Sequence, residues 1–127
     1  MKRFGLLLIL APLMAAANPS WDQARPVEVD LASFAFSPST IRLRADEPVT
    51  LHLVNTGHGG HNFSAPQFFA AATVRPETMG RLHSGTVEVG SNSSADVTLV
   101  PAAGHYPLKC THPLHSLLGM HGEIIVE

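Results

Sequence analysis

A chain of 127 residues with 10 Pro, 10 Gly and only 14% charged residues has room for one domain but not for two with separate cores. Eight basic residues against ten acidic ones give a net charge of −2 with no basic block, which excludes a nucleic-acid phosphate surface as partner. Two counts stand out from this plain background: eight His, and one Cys with no second Cys to pair with.

The first residues separate from the rest. Lys2 and Arg3 precede an apolar run from Phe4 to Met14, and Ala15, Ala16 and Ala17 follow it, which is the order of a secretory signal. The run is shorter than the about 20 apolar residues a spanning helix needs. We therefore expect residues 1–17 to be a cleaved signal peptide and the protein to work in the periplasm or to be secreted. A lipid-attached form is not expected, because no Cys lies near the cleavage point, and no later segment reads as a membrane anchor. The remaining 110 residues keep all eight His but only Met79 and Met120 of the four Met, with six basic and ten acidic residues for a net charge of −4. Residues 18–25, with Trp21, read as a mobile lead-in, and residues 26–127 as a single domain.

That domain reads as strands. Pro26 to Leu31, Ile41 to Arg44 and Val49 to Leu53 alternate apolar and polar residues, as do Thr86 to Val89 and Ala95 to Leu99; His105 to Cys110 and Gly122 to Val126 complete the set. The breaks fall at Ser37-Pro38, Asp46 to Pro48, Gly57 to Gly60, Gly90 to Asn92 and Pro101 to Gly104, turn formers spaced as in a Greek-key sandwich or barrel. Pro66 to Val74 is the one segment that reads as a short helix, with Phe68 and Phe69 packed on the sandwich. Met79, in the loop after it, reads as a packing residue. The expected fold is all-β, a Greek-key β-sandwich or barrel with at most one short helix.

The chemistry gathers at two places. After the strand from Val49 comes Gly59-Gly60-His61-Asn62-Phe63, read as a loop. In the tail, Cys110 ends a strand, His115 follows by five residues and Met120 by ten, just before the next strand. An exported domain with one Cys has no internal disulfide, so Cys110 is a buried inert thiol, half of an intermolecular bridge, or a thiolate held by something that protects it. A loop joining two adjacent strands folds back on itself, which brings Cys110, His115 and Met120 toward one point. In a Greek-key sandwich the His61 loop lies at the same end. Two imidazoles, a thiolate and a weak thioether suit copper, since soft sulfur holds Cu(I) and imidazole tolerates Cu(II). The other His residues lack such spacing: His52 reads as a solvated or core-edge strand residue, and His83 and His105 have no partner. His58, His112 and His121 lie near the two loops, where a second, labile copper site is conceivable.

These motifs resemble the cupredoxins, the small blue-copper proteins that include plastocyanin, azurin, amicyanin and auracyanin. The segment Phe34-Ala35-Phe36-Ser37-Pro38-Ser39-Thr40-Ile41 is similar to one that many of them carry ahead of the first ligand, and the likeness spans residues 27 to 126. The resemblance implies one copper ion with His61, Cys110 and His115 in the equatorial plane and Met120 as axial ligand, and an Asn62 that hydrogen-bonds across to the Thr111 backbone or hydroxyl. Where these relatives usually have Gly before the second His, this chain has Leu114.

The function expected from this reading is a one-electron carrier that docks transiently on redox partner proteins near His115, through an apolar collar of Pro113, Leu114, Leu117 and Leu118, and works as a monomer. The alternative is a copper-binding buffer or delivery protein that uses surface His as a relay; high His content favours it and the lack of Met-rich runs does not. Enzymatic activity is not expected, because a catalytic copper needs an open coordination position or further paired His motifs.

Overall fold

The computed structural model describes residue 5, residues 19–32, 34–115 and 117–127. The expected signal peptide, residues 1–17, lies almost entirely outside the described residues. Among those described, no helix is long and apolar enough to cross a membrane.

Among the described residues, ten strands form two five-stranded sheets. In chain order they are β1 (Arg25–Ala32), β2 (Ala35–Ser37), β3 (Thr40–Leu43), β4 (Val49–Asn55), β5 (His61–Ser64), β6 (Thr73–Val74), β7 (Thr86–Val89), β8 (Ser93–Val100), β9 (Gly104–Lys109) and β10 (His121–Val126), with one α-helix, α1 (Pro66–Ala71), after β5. The first sheet runs β2-β1-β4-β8-β6 and the second β3-β10-β9-β5-β7. Pairing is antiparallel except at β1 with β4 and at β3 with β10, which run parallel. The expectation of an all-β sandwich is met.

The alternation read from the sequence determines the core. In β4, Val49, Leu51 and Leu53 point inward and are fully buried, while Thr50, His52 and Val54 between them are partly exposed. Val29 and Leu31 of β1 and Val97 and Leu99 of β8 extend that apolar face; Ile41, Phe63, Val87, Leu108 and Ile124 supply the facing one. Phe63 lies at the middle, with the rings of Phe36 and Phe69 at 5.9 and 6.0 Å, both edge-on. Burying such a side chain contributes about 1.5–3 kcal/mol.

Several boundaries differ from expectation. The helix stops at Ala71, because Ala72 turns extended and the β-branched Thr73 and Val74 pair with Val100 and Leu99 of β8. Phe68 and Phe69 are buried as expected, but Met79 is exposed, on a 3-10 turn over Pro76–Arg81. Arg25 belongs to β1, paired with Val49, and Trp21–Gln23 just before it form a second 3-10 turn. His61, read as a loop residue, opens β5, whose four residues are all buried between β7 and β9.

One glycine is required by close approach. A Cβ on Gly122, the second residue of β10, would lie 2.2 Å from the Ser39 carbonyl oxygen, the same oxygen that accepts the Glu123 N–H at 2.9 Å where β10 meets β3. Gly122→Ala is expected to push the two strands apart and to destabilise the metal-free protein by about 2 kcal/mol or more, read from urea unfolding. A change within ~0.5 kcal/mol would show that the strands separate without loss.

Candidate metal centre

Each site residue is held in place by the chain around it. Asn55, buried at the end of β4, shapes the glycine-rich turn: its amide donates to the Gly59 carbonyl at 2.7 Å and to the Val89 carbonyl at 3.1 Å, while its oxygen accepts the Gly57 N–H at 2.9 Å. A side-chain amide closing on the backbone two residues ahead is an Asx turn. It directs the chain so that His61 enters β5 with its ring inward.

The second loop, Cys110 to Met120, closes on itself. Cys110 N–H donates to the Met120 carbonyl at 3.1 Å, and Met120 N–H donates to the His115 carbonyl at 3.0 Å. Within it, His115 N–H reaches the His112 carbonyl at 3.2 Å, and Leu118 N–H is shared between the Leu114 and His115 carbonyls. Leu114 stands at φ +67°, the left-handed conformation that a glycine adopts freely. The turn expected of a glycine therefore forms with leucine, at a strain of ~1–2 kcal/mol.

These two loops bring three donors together. His61 Nδ1 and His115 Nδ1 are 3.2 Å apart, and Cys110 Sγ is 3.4 Å from His115 Nδ1. The three donor atoms lie within 4.8 Å of one another, the one such group of three or more His, Cys or acidic donors among the described residues. Ligand distances of 2.0–2.3 Å around one ion put neighbouring donors about 3.5 Å apart, so the spacing fits a single metal. Met120 is completely buried, and its backbone is bonded to both Cys110 and His115. Cys110 is also fully buried and free of any disulfide. A thiol and two imidazoles with a thioether at hand form the donor set of a trigonal copper site, where soft sulfur and imidazole serve both oxidation states.

Asn62 joins the two loops. Its amide nitrogen donates to Thr111 Oγ1 at 2.7 Å, its oxygen accepts the Thr111 N–H at 2.8 Å, and its own backbone N–H points at Cys110 Sγ at 3.5 Å. Both routes expected for it, to the Thr111 backbone and to the hydroxyl, are thus made. The amide also donates to Glu88 Oε1 at 2.8 Å, and Glu88 Oε2 meets His112 Nε2 at 2.9 Å. Burial opposes the charge of Glu88, but the hydrogen bonds from Asn62 and His112 outweigh it and hold the carboxyl below its usual range. The His61 imidazole is held below its usual pKa by burial first, then by the positive charges of His115 and His112. The shift favours the neutral ring, the form with a lone pair for a metal.

Among the described residues, the remaining His residues form no second group of three or more donors. His112 is engaged by Glu88; His58 is exposed; and His121 faces outward opposite Lys109. His52 pairs with Asp96 across β4 and β8, while His83 and His105 are exposed.

Sequence reasoning missed Phe34 at this end of the molecule. It stands in the turn between β1 and β2 at φ +58°, with its ring edge-on to His115 at 4.8 Å and to His61 at 6.3 Å. Leu114, Leu117 and Leu118 of the second loop are 67, 85 and 60% exposed, so these leucines expected around His115 lie at the surface and take no part in the core.

A family model described as "Cupredoxin-like domain" matches residues 5–126. A comparison with curated protein sequences finds no match. Among solved structures, auracyanin B is 25% identical, with a TM-score of 0.59, covering 89% of this chain and 93% of that one. Auracyanin A, a "blue" copper protein from the photosynthetic bacterium Chloroflexus aurantiacus, is 21% identical with a TM-score of 0.57, covering 80% and 98%. The metal-binding domain of a Cu(I)-exporting P-type ATPase from Streptococcus pneumoniae is 11% identical with a TM-score of 0.52, covering 84% and 88%. At these last two identities the likeness is one of fold alone.

Proposed function

The chain belongs to the family of cupredoxin-like domains, and from that premise we propose that it is an exported one-electron carrier, with one copper ion held by His61, Cys110, His115 and Met120. The observation that carries the reading is the convergence of the His61, Cys110 and His115 donor atoms, next to a buried Met120 whose backbone is hydrogen-bonded to two of those residues. Copper in such a site takes up and gives back one electron as it passes between Cu(II) and Cu(I).

The protein's part is to hold the donors still. Asn62 fixes Thr111, and so Cys110, through two hydrogen bonds that involve neither ligand side chain. Donors held by such outer contacts need little rearrangement when the charge at the centre changes. Four protein donors around the ion leave no position for a substrate, which favours a carrier over an enzyme. His115 is the half-buried member of the set, and the exposed leucines beside it offer a small apolar surface suited to brief docking of a redox partner. Export to the periplasm or beyond is supported by the charged, apolar and small-residue order of residues 1–17.

The test is direct. Metal-free protein given Cu(II) is expected to bind one equivalent, turn intensely blue or green, and keep its copper through repeated reduction and oxidation. A colourless complex would remove the blue-copper reading. Loss of copper to a metal-free acceptor on each reduction would assign a delivery role instead.

A further inference from the structure

Three of the four donors at the site are sealed inside the protein: Cys110 and Met120 are fully buried and His61 is 6% exposed. His115 alone reaches toward the surface, carried on a loop whose backbone hydrogen bonds hold its main chain while its ring meets the loop through Cys110 Sγ and the His112 ring. On its own side the ring meets His61, Cys110 and the tilted His112 ring at 5.4 Å; one further contact comes from the other sheet. Phe34 leans over from the β1–β2 turn, its ring perpendicular to that of His115, at 88°, and close to perpendicular to that of His61, at 82°. An edge-to-face arrangement is the favourable one for aromatic rings.

The backbone at Phe34 reinforces the point. Its φ of +58° lies in the left-handed region, where a bulky aromatic is a genuine outlier and where Gly or Asn would fit without strain. Backbone strain of this kind persists where the surroundings over-determine it, and it concentrates at functional sites. A phenylalanine that is 39% exposed gains little from core burial, so packing in the sandwich does not account for its place. The contact it makes is with the two imidazoles.

We propose that Phe34 is a positioning residue that retains His115: its ring bars the outward swing of the imidazole and shields the His61 and His115 edges from water, so that copper leaves slowly. The proposal rests on the copper reading given above. Release of the ion requires at least one donor to move away, and His115, on an exposed loop, is the donor free to do so. The ring it must push past is anchored in a different sheet from the one that feeds the ligand loop. The site thus gains a wall that does not move with the loop.

The experiment compares the unaltered protein with Phe34→Ala, Phe34→Gly and Phe34→Tyr. Copper removal from the reduced protein by an excess of a Cu(I) chelator is expected to be about tenfold faster in the Ala and Gly variants, and restored by Tyr, which keeps the ring. A second readout needs no copper: in metal-free protein, alkylation of Cys110 by iodoacetamide is expected to accelerate in Ala and Gly and to return toward the original rate in Tyr. Phe34→Gly also relieves the left-handed strain, so its thermal midpoint without metal is expected to be unchanged or raised, which separates a lost wall from a weakened fold. Variants that bind blue copper but release it, and expose Cys110, at the original rates would overturn the proposal. Absence of blue copper in the unaltered protein would instead overturn the reading on which it rests.

Discussion

Replacing Cys110 by Ser is expected to abolish the visible colour of the copper-loaded protein and to weaken copper retention by more than about 100-fold, because changes to groups merely hydrogen-bonded to metal ligands already cost 10–100-fold. The colour depends on a thiolate, and a hydroxyl is a hard, weakly acidic donor that does not replace one. The fold should tolerate the exchange. Cys110 Sγ accepts only the long contact from Asn62 N–H at 3.5 Å and sits near His115 Nδ1, and Ser is slightly smaller in the same space. The metal-free variant is therefore expected to unfold within about 2 kcal/mol of the original. Copper titration followed by visible absorption, beside thermal unfolding, checks both halves. A variant that stays intensely coloured would show that the thiolate is not the ligand.

Phe63→Ala is expected to have the largest effect on folding, a loss of about 3–5 kcal/mol. Phe63 is fully buried between the two sheets, and its ring meets Phe36 of β2 and Phe69 of α1 edge-on, so its removal leaves a cavity beside both. The thermal midpoint of the metal-free protein should fall by more than about 10 °C. Phe63→Leu, which fills most of the space, should lose clearly less. Phe63 also follows His61 by two residues in β5 and shares its inward face, so a collapsing core reaches the metal end through the strand itself. A loss below about 1 kcal/mol for Phe63→Ala would mean that the two sheets close over the gap.

How far the sequence reveals this molecule depends on which contacts are local. β3, β4 and β7 alternate in the open, and a period of two records which face is buried. Cys110, His115 and Met120 lie on one loop, so their convergence follows from the chain turning back. β5 was hidden because His61-Asn62-Phe63-Ser64 is buried on both faces and shows no alternation. β2 and β6 are only three and two residues long, too short for a pattern, and exist because β1 and β8 offer them edges. Asn62 was legible through its place beside His61, but Glu88 was not. In Thr86 to Val89 it reads as one outward polar residue, and only the register of β5 on β7 sets it opposite Asn62. Phe34 is concealed for the same reason, since nothing in a turn between two strands announces that it overhangs a loop some eighty residues further on.

The parallel pairing of β3 with β10 has a consequence for how the molecule comes into being. β3 bonds to β10 and to no other strand of its sheet, and β10 follows every other strand in the chain. The second sheet thus cannot complete until a contact spanning most of the domain has closed, and contacts of such long separation make folding slow. Met120 immediately precedes β10, and its carbonyl takes the Cys110 N–H just beyond the end of β9. The strand that finishes the sandwich is therefore also the one that seats the last donor. Until that strand is in place, the chain has no finished pocket for stray metal.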